Sequence, residues 1–131
     1  MKALTIYEPW ATMIAQGHKP IENRSWVPPK GLLKPGERIA IHASLRKPEP
    51  EDIEFCAQVT GLSVGVIAAH LRPGHILATA QYRGVQREST SPWYVGPVAW
   101  ILGDVREVVP VQIRGQQGLW ELPSDVAAGV S

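Results

Sequence analysis

The chain has 131 residues, 44% of them hydrophobic and 19% charged, with a formal net charge of +1 at pH 7. This length suits one domain with one core, and the near-neutral charge argues against a long duplex footprint, since a protein that grips many phosphates normally carries a strongly basic face. No apolar run reaches the roughly 20 residues of a membrane span, and no signal-peptide core is present near the start, so we expect a cytoplasmic protein. The single cysteine excludes an intrachain disulfide and a thiolate metal cluster.

The sequence pattern predicts strands and short helices separated by many turns, as the 12 glycines and 12 prolines indicate. Alternating polarity indicates strands, and apolar residues three or four positions apart indicate helices. We predict strands at 2–7, from 21, at 38–43, at 75–82 and at 118–122, and helices at 9–16, within 44–65 and at 64–71. We predict a polar loop at 84–92. After it, strands 98–102 and 105–109 are expected to form a hairpin that turns at Gly103-Asp104. We expect residues 124–131 to fray.

Residues 17–26, Gly-His-Lys-Pro-Ile-Glu-Asn-Arg-Ser-Trp, concentrate polar side chains just behind the first predicted helix. Alternation along an extended chain puts Glu22 and Arg24 on one face, where they can form an ion pair. An exposed pair of this kind contributes less than about 1 kcal/mol and in most proteins has no function. Lys19 can hold a phosphate or, if desolvated, act as a base. If the strand began before Lys19, alternation would point the Lys19 side chain away from Glu22 and Arg24. We therefore expect a twist at Pro20 that brings the three side chains together.

Five tryptophans are a high count for so short a chain. Their indole faces can stack on nucleic-acid bases, each stack contributing about 1 to 3 kcal/mol. Trp10 and Trp26 flank the polar stretch and are candidates for lining a site. Trp100 and Trp120 fall within predicted strands, so we expect them in the core. Trp93 lies in a loop, where it is either a platform at the rim of a site or a loop anchor.

No metal or cofactor site is predicted. No two of the four histidines have the spacing of metal ligands, and no phosphate-binding glycine loop, nucleophile elbow or dinucleotide-binding pattern is present. Cys56 falls on the apolar side of its predicted helix, which indicates a buried core thiol.

One set of motifs resembles a known family. Residues Gly17-x-Lys19-x-x-Glu22-x-Arg24 match the signature of the ASCH domain family, which is related to PUA domains. Further parts of the family's pattern occur in order, at residues 7–11, 39–44, 96–100 and 114–120. The resemblance implies an α+β fold, a small PUA-like β-barrel of about five to six strands with two or three short helices packed beside it. It also implies that residues 2–123 form a single ASCH domain.

The resemblance further implies a cleft between the barrel and its helices in which nucleic acid or a nucleotide binds. The residues expected to line this cleft are Lys19, Glu22, Arg24, Trp10, Trp26 and His42. His42 belongs to one of the family motifs, and alternation places it on the same face of its strand as Arg38. We therefore expect a monomeric module that binds RNA, single-stranded DNA or a nucleotide, with a modified base among the candidate ligands.

An enzyme is the alternative. Some relatives are amidohydrolases that remove acyl groups from N4-acylated cytidine with a Lys, a Glu and a nucleophilic Thr, and others are ribonucleases. Lys19 matches the lysine, whereas Glu22 stands where the threonine is expected and cannot be acylated and released in the same way. Lys19 and Glu22 are then the catalytic candidates, with Thr12 or Ser25 as displaced nucleophiles. A third possibility is an interaction domain with no nucleic-acid partner.

Overall fold

The computed structural model describes all residues, Met1–Ser131, as six strands and four helices. In chain order they are β1 (Lys2–Ile6), α1 (Trp10–Ala15), β2 (Ile21–Arg24), β3 (Arg38–Ala43), α2 (Pro50–Thr60), α3 (Val64–His70), β4 (His75–Gln86), β5 (Val98–Gln112), β6 (Leu119–Glu121) and α4 (Ser124–Val130). The strands form one sheet in the order β2-β5-β4-β3-β1-β6, which curls into a half-barrel. The predicted α+β fold of five to six strands is confirmed.

One parallel strand pair brings the segments that follow β1 and β3 together. β1 runs parallel to β3, whereas every other neighbouring pair in the sheet is antiparallel. Ile6 lies opposite Ala43, and the Ser44 amide donates to the Ile6 carbonyl at 2.9 Å. Because parallel strands end at the same edge of a sheet, the segments that follow β1 and β3 leave side by side.

The largest group of buried apolar side chains packs α1 against the sheet, with Trp100 fully buried within it. The Trp100 ring meets Trp26 and Tyr82 edge-on, with centroids 4.9 and 5.6 Å away, and its indole N–H donates to the Trp26 carbonyl at 3.0 Å. Trp120 is also buried, so the prediction that these two tryptophans belong to the core is confirmed. Cys56 is fully buried, as predicted, and burial raises the pKa of its thiol to about 12.

The start of α1 is fixed by a buried carboxylate that the sequence analysis missed. Glu8 is almost fully buried and accepts hydrogen bonds from the amide and hydroxyl of Thr12 and from the Arg72 amide. Burial raises the pKa of Glu8, although these three donors oppose the shift. The carboxylate thus ties the first turn of α1 to the turn before β4, far away in sequence.

The predicted hairpin at residues 98–109 is wrong, because β5 is one continuous strand of 15 residues. Between Thr79 and Gln81 of β4, the partners on β5 move from Arg106 to Gly103, so β5 carries one extra residue there. Asp104 sits in this bulge with φ 44°. Arg38 donates to the Asp104 carboxylate at 3.0 Å and to its carbonyl at 2.6 Å. Gly103-Asp104 therefore bends a strand instead of reversing it.

Residues in two segments predicted to be irregular belong to regular elements; in the first segment these are only residues 84–86, and residues 87–92 lie outside any helix or strand, as predicted. The predicted polar loop at 84–92 begins inside β4, which continues to Gln86 and pairs there with Ala99. The expected frayed tail at 124–131 is instead α4, the fourth helix, and its buried Val130 packs in an apolar cluster with Trp120. No single helix has the length and apolar composition of a membrane span. The pair α2 and α3 has both when counted together, but the two helices are bent by 112° relative to each other.

Candidate nucleic-acid interface

A cleft of about 930 Å³ opens at the end of the sheet from which β1 and β3 exit. Its walls come from the ends of β1 and β3, from β2 and the residues after it, from α1 and α2, and from the loops that precede β5 and β6. The structure brings all six sequence-predicted site residues to this cleft, namely Lys19, Glu22, Arg24, Trp10, Trp26 and His42.

A charged triplet forms part of the lining. The Lys19 ammonium lies 3.2 Å from one oxygen of Glu22, and the Arg24 guanidinium lies 3.1 Å from the other. The Lys19 and Glu22 side chains are only 3% and 9% exposed, so this is not the solvated pair that the sequence alone would favour. Two cations thus compensate the charge of this poorly solvated carboxylate and fix its position.

The position of Lys19 follows from where β2 begins. The strand starts at Ile21, after Pro20, so strand alternation does not apply to Lys19. Its amide donates to the Met13 carbonyl at the end of α1 at 3.1 Å, and its ammonium donates to the Ile21 carbonyl at 2.6 Å. Lys19 therefore reaches Glu22 from the turn between α1 and β2, and strand alternation does not turn its side chain away from Glu22 and Arg24.

Arg24 links the edge strand β2 to β1 at the open side of the half-barrel. Its Nη2 donates to the Thr5 carbonyl at 2.8 Å, just beyond the point where the pairing of β1 with β6 ends at Leu4. Its Nε is buried and has no partner within the protein. A buried guanidinium N–H without an acceptor is rare, because leaving such a group unpaired is costly. Arg24 therefore keeps one side-chain donor that no protein group satisfies.

His42 belongs to a hydrogen-bonded chain that the sequence analysis did not find. Its Nε2 lies 2.7 Å from the Ile113 carbonyl, which only accepts, so Nε2 carries the proton in the neutral ring. Its Nδ1 then accepts from the Thr5 hydroxyl at 3.1 Å, and that oxygen accepts from the Trp120 indole at 3.0 Å. A Cβ at Gly115 would lie 2.6 Å from His42, so this segment needs glycine to lie so close.

The neutral state of His42 predicts a pH dependence of stability. Burial lowers its pKa below the usual 6.5, and this outweighs the hydrogen bond to Ile113. The unfolded chain therefore takes up a proton more readily than the folded chain, so this contribution to stability is complete above about pH 6.5 and is lost as the pH falls towards the folded pKa. We expect the free energy of unfolding in urea to fall more steeply between pH 7 and pH 5 for the native chain than for His42→Gln, which cannot titrate. Equal slopes would contradict the neutral assignment.

Three aromatic rings form another wall of the cleft. Trp10, Phe55 and Trp93 meet pairwise in edge-to-face contacts, with centroids 5.8 to 6.4 Å apart. Trp93 is buried and packs in an apolar cluster, so it anchors its loop, and it also lines the cleft. The Lys19 ammonium lies 5.8 Å from the Trp10 ring, within cation–π range.

Asn23 positions the loop that carries Trp93. Its amide nitrogen donates to the Trp93 carbonyl at 2.9 Å, and its oxygen accepts from the amides of Val95 and Gly96 at 2.9 and 3.0 Å. Lying between Glu22 and Arg24, Asn23 fastens this rim of the cleft to β2. Short polar side chains often satisfy loop amides in this way, but nothing local in the sequence identifies a partner 70 residues away.

The hydroxyls considered as displaced nucleophiles are unequally placed. Thr12 is buried, donates to Glu8, and does not line the cleft, whereas Ser25 does. No group of three or more His, Cys, Asp or Glu side chains is arranged to hold a metal ion.

The signature residues therefore converge, with a carboxylate set between two cations, in one cleft. A family model described as the ASCH domain matches residues 4–112 of the chain. The chain belongs to the ASCH domain family. Members of the ASCH family are generally thought to bind RNA.

Similar proteins agree with this assignment. The human protein Activating signal cointegrator 1 is 27% identical over 138 residues, which cover 96% of this chain and 23% of that protein. The chain thus spans about a quarter of the length of this curated relative. The crystal structure of ASCH from Zymomonas mobilis has a TM-score of 0.58 and 16% identity, covering 98% of this chain and 91% of that one. A tyrosine-to-phenylalanine mutant of the same Zymomonas mobilis protein has a TM-score of 0.59 and 15% identity, covering 99% and 98%. At such low identity these ASCH structures show a common fold.

Proposed function

We propose that the cleft binds a short stretch of single-stranded RNA or DNA, or a single nucleotide. The observation that carries this proposal is the Lys19, Glu22 and Arg24 triplet, which lines the same cleft as the indoles of Trp10 and Trp26. Such a site combines hydrogen-bonding groups for a base edge with aromatic faces on which bases stack.

The triplet suits a base better than a bare phosphate. A phosphate would meet the negative charge of Glu22, whereas the amino group of cytosine or adenine can donate to it. The guanidinium of Arg24, which lines the cleft, supplies a donor to a ring nitrogen or carbonyl of the same base. Base edges with both functions are free in single strands and engaged in duplexes, so the cleft favours unpaired nucleotides.

The charge of the cleft limits the number of phosphates that it contacts. Three cations line it, Lys19, Arg24 and Arg114, and Glu22 offsets one of them. With a net charge of only +1 for the whole chain, we expect roughly two to four phosphate contacts.

This limit predicts a weak salt dependence. Each phosphate contacted on a single strand contributes about −0.7 to the slope of log K against log salt, so we expect a slope of about −1.4 to −2.8. The measurement is an anisotropy titration of a labelled RNA of about six nucleotides, and of the same sequence as DNA and as duplex, at several salt concentrations. A slope steeper than about −5 would indicate a long basic groove. No saturable binding of either single strand or of nucleoside monophosphates would overturn the proposed function.

The geometry does not favour the amidohydrolase alternative. Glu22 stands where the nucleophilic threonine is expected and has no hydroxyl to acylate, and the Thr12 hydroxyl donates to Glu8 away from the cleft. The Thr5 hydroxyl lines the cleft, but Trp120 and His42 occupy it, and Gly115 packs against it. We therefore propose a binding module.

A further inference from the structure

An exposed aromatic–cation pair lies beside the cleft and has no part in the contacts above. Tyr7 is 52% exposed and lines the cleft, and the guanidinium carbon of Arg46 lies 4.3 Å from the centre of its ring. Leu45, 75% exposed, lines the cleft next to them. We define these three side chains as the Tyr7–Arg46 platform.

The parallel strands place this platform. Tyr7 follows β1 and Leu45 follows β3, and the two strands end together because Ile6 lies opposite Ala43. The Arg46 amide then donates to the Ser44 hydroxyl at 3.0 Å, in a tight turn that carries the guanidinium back over Tyr7. The platform is therefore set on the ends of two core strands and not on a long loop.

The fold does not need this arrangement. The Tyr7 and Arg46 side chains are about half exposed and belong to none of the buried apolar clusters, so they add little to the core. The one ion pair of Arg46 is with Glu49 at 3.6 Å, with both side chains about half exposed, and pairs of this kind contribute little. A guanidinium plane stacked on a phenol ring is, however, a surface on which an unpaired base can stack, and it brings a positive charge to the adjoining phosphate.

We propose that the Tyr7–Arg46 platform is a second nucleotide subsite, which takes the base and linking phosphate next to the nucleotide in the cleft. This inference rests on the proposed function, since it extends the same ligand by one residue. The ligand would then be a nucleic-acid strand that leaves the cleft on the side of β1 and β3. A single nucleotide then leaves the platform empty, whereas a dinucleotide covers it.

The test compares a nucleoside monophosphate with the corresponding dinucleotide by calorimetric titration. For the native chain we expect the dinucleotide to bind at least about fivefold tighter, the lower end of the range for one stacked base. Arg46→Ala should remove most of this difference. Arg46→Lys, which keeps the charge but loses the plane, should remove part of it. Tyr7→Ala and Tyr7→Leu should both reduce the difference, the second because leucine keeps apolar bulk without an aromatic face.

The matched control is Arg106→Ala, since Arg106 is an exposed arginine outside the cleft lining and its loss should leave the dinucleotide advantage unchanged. Equal affinities of the two ligands for the native chain would overturn the subsite while leaving the proposed function intact. An unchanged dinucleotide advantage in Arg46→Ala and Tyr7→Leu would also overturn it. If the native chain binds neither ligand, the proposed function fails and the subsite fails with it.

Discussion

Replacing Lys19 with methionine is expected to lower the free energy of unfolding by about 3 to 5 kcal/mol, because it breaks a buried ion pair by removing one partner. Methionine can fill the space of the lysine stem, but the Ile21 carbonyl loses its 2.6 Å donor, and Glu22 keeps Arg24 as its only cation. A buried carboxylate that has lost half its compensation is costly. Urea denaturation followed by circular dichroism measures the change, and nucleotide binding should be lost with it.

A double-mutant cycle separates the ion pair from packing. Glu22→Gln removes the charge that Lys19→Met leaves behind, so the double variant should be more stable than the sum of the two single changes predicts. The chain also offers a matched exposed pair, because Lys2 lies 3.2 Å from Glu121, the same distance as in the buried pair. Lys2→Met should cost less than about 1 kcal/mol. Similar losses for Lys2→Met and Lys19→Met would contradict the importance of burial at Lys19.

The second large effect is expected for Arg24→Lys, which should weaken binding of single-stranded RNA by about 10- to 100-fold. Lysine keeps the positive charge, but one ammonium cannot contact Glu22, the Thr5 carbonyl and a ligand with the geometry of a guanidinium. Loss of the 2.8 Å bond to Thr5 should also lower stability by about 1 kcal/mol, so binding is measured where circular dichroism shows the variant to be folded.

Arg106→Lys is the control for this change. Arg106 is paired with Asp104 at 2.8 Å outside the cleft, so its replacement removes the same chemical group without touching the site. Its affinity for RNA should match that of the native chain. If Arg24→Lys also binds as the native chain does in fluorescence titration, Arg24 does not contact the ligand and the assignment of the cleft is wrong.

Local patterns predicted much of the scaffold. Alternation predicted β3 at its observed bounds, Arg38–Ala43, and predicted β1 to within one residue, because a strand with one buried face must repeat every second residue. The family signature predicted that Lys19, Glu22 and Arg24 belong together, since they lie within six residues along one turn and strand. These are short-range relations, and sequence spacing expresses them directly.

Contacts between distant segments decided the rest. Whether Gly103-Asp104 reverses or bends the chain depends on Arg38, 66 residues away in sequence, which holds Asp104 inside a strand that β4 pairs along its length. Residues 124–130 form a helix because the cluster around Trp120 buries Val130. Local propensity contains no information on either partner.

The chemistry of the cleft depends on tertiary structure in the same way. The spacing of Lys19 and Glu22 is equally compatible with a solvated pair, and only the packing of α1 against the sheet removes water from it. The Thr5 hydroxyl joins His42 and Trp120 because β1 lies between β3 and β6, and Tyr7 meets Arg46 because β1 and β3 are parallel. The sequence contains the polar groups of the cleft, whereas strand order set their neighbours and burial lowered the pKa of His42, since both depend on residues that are remote along the chain.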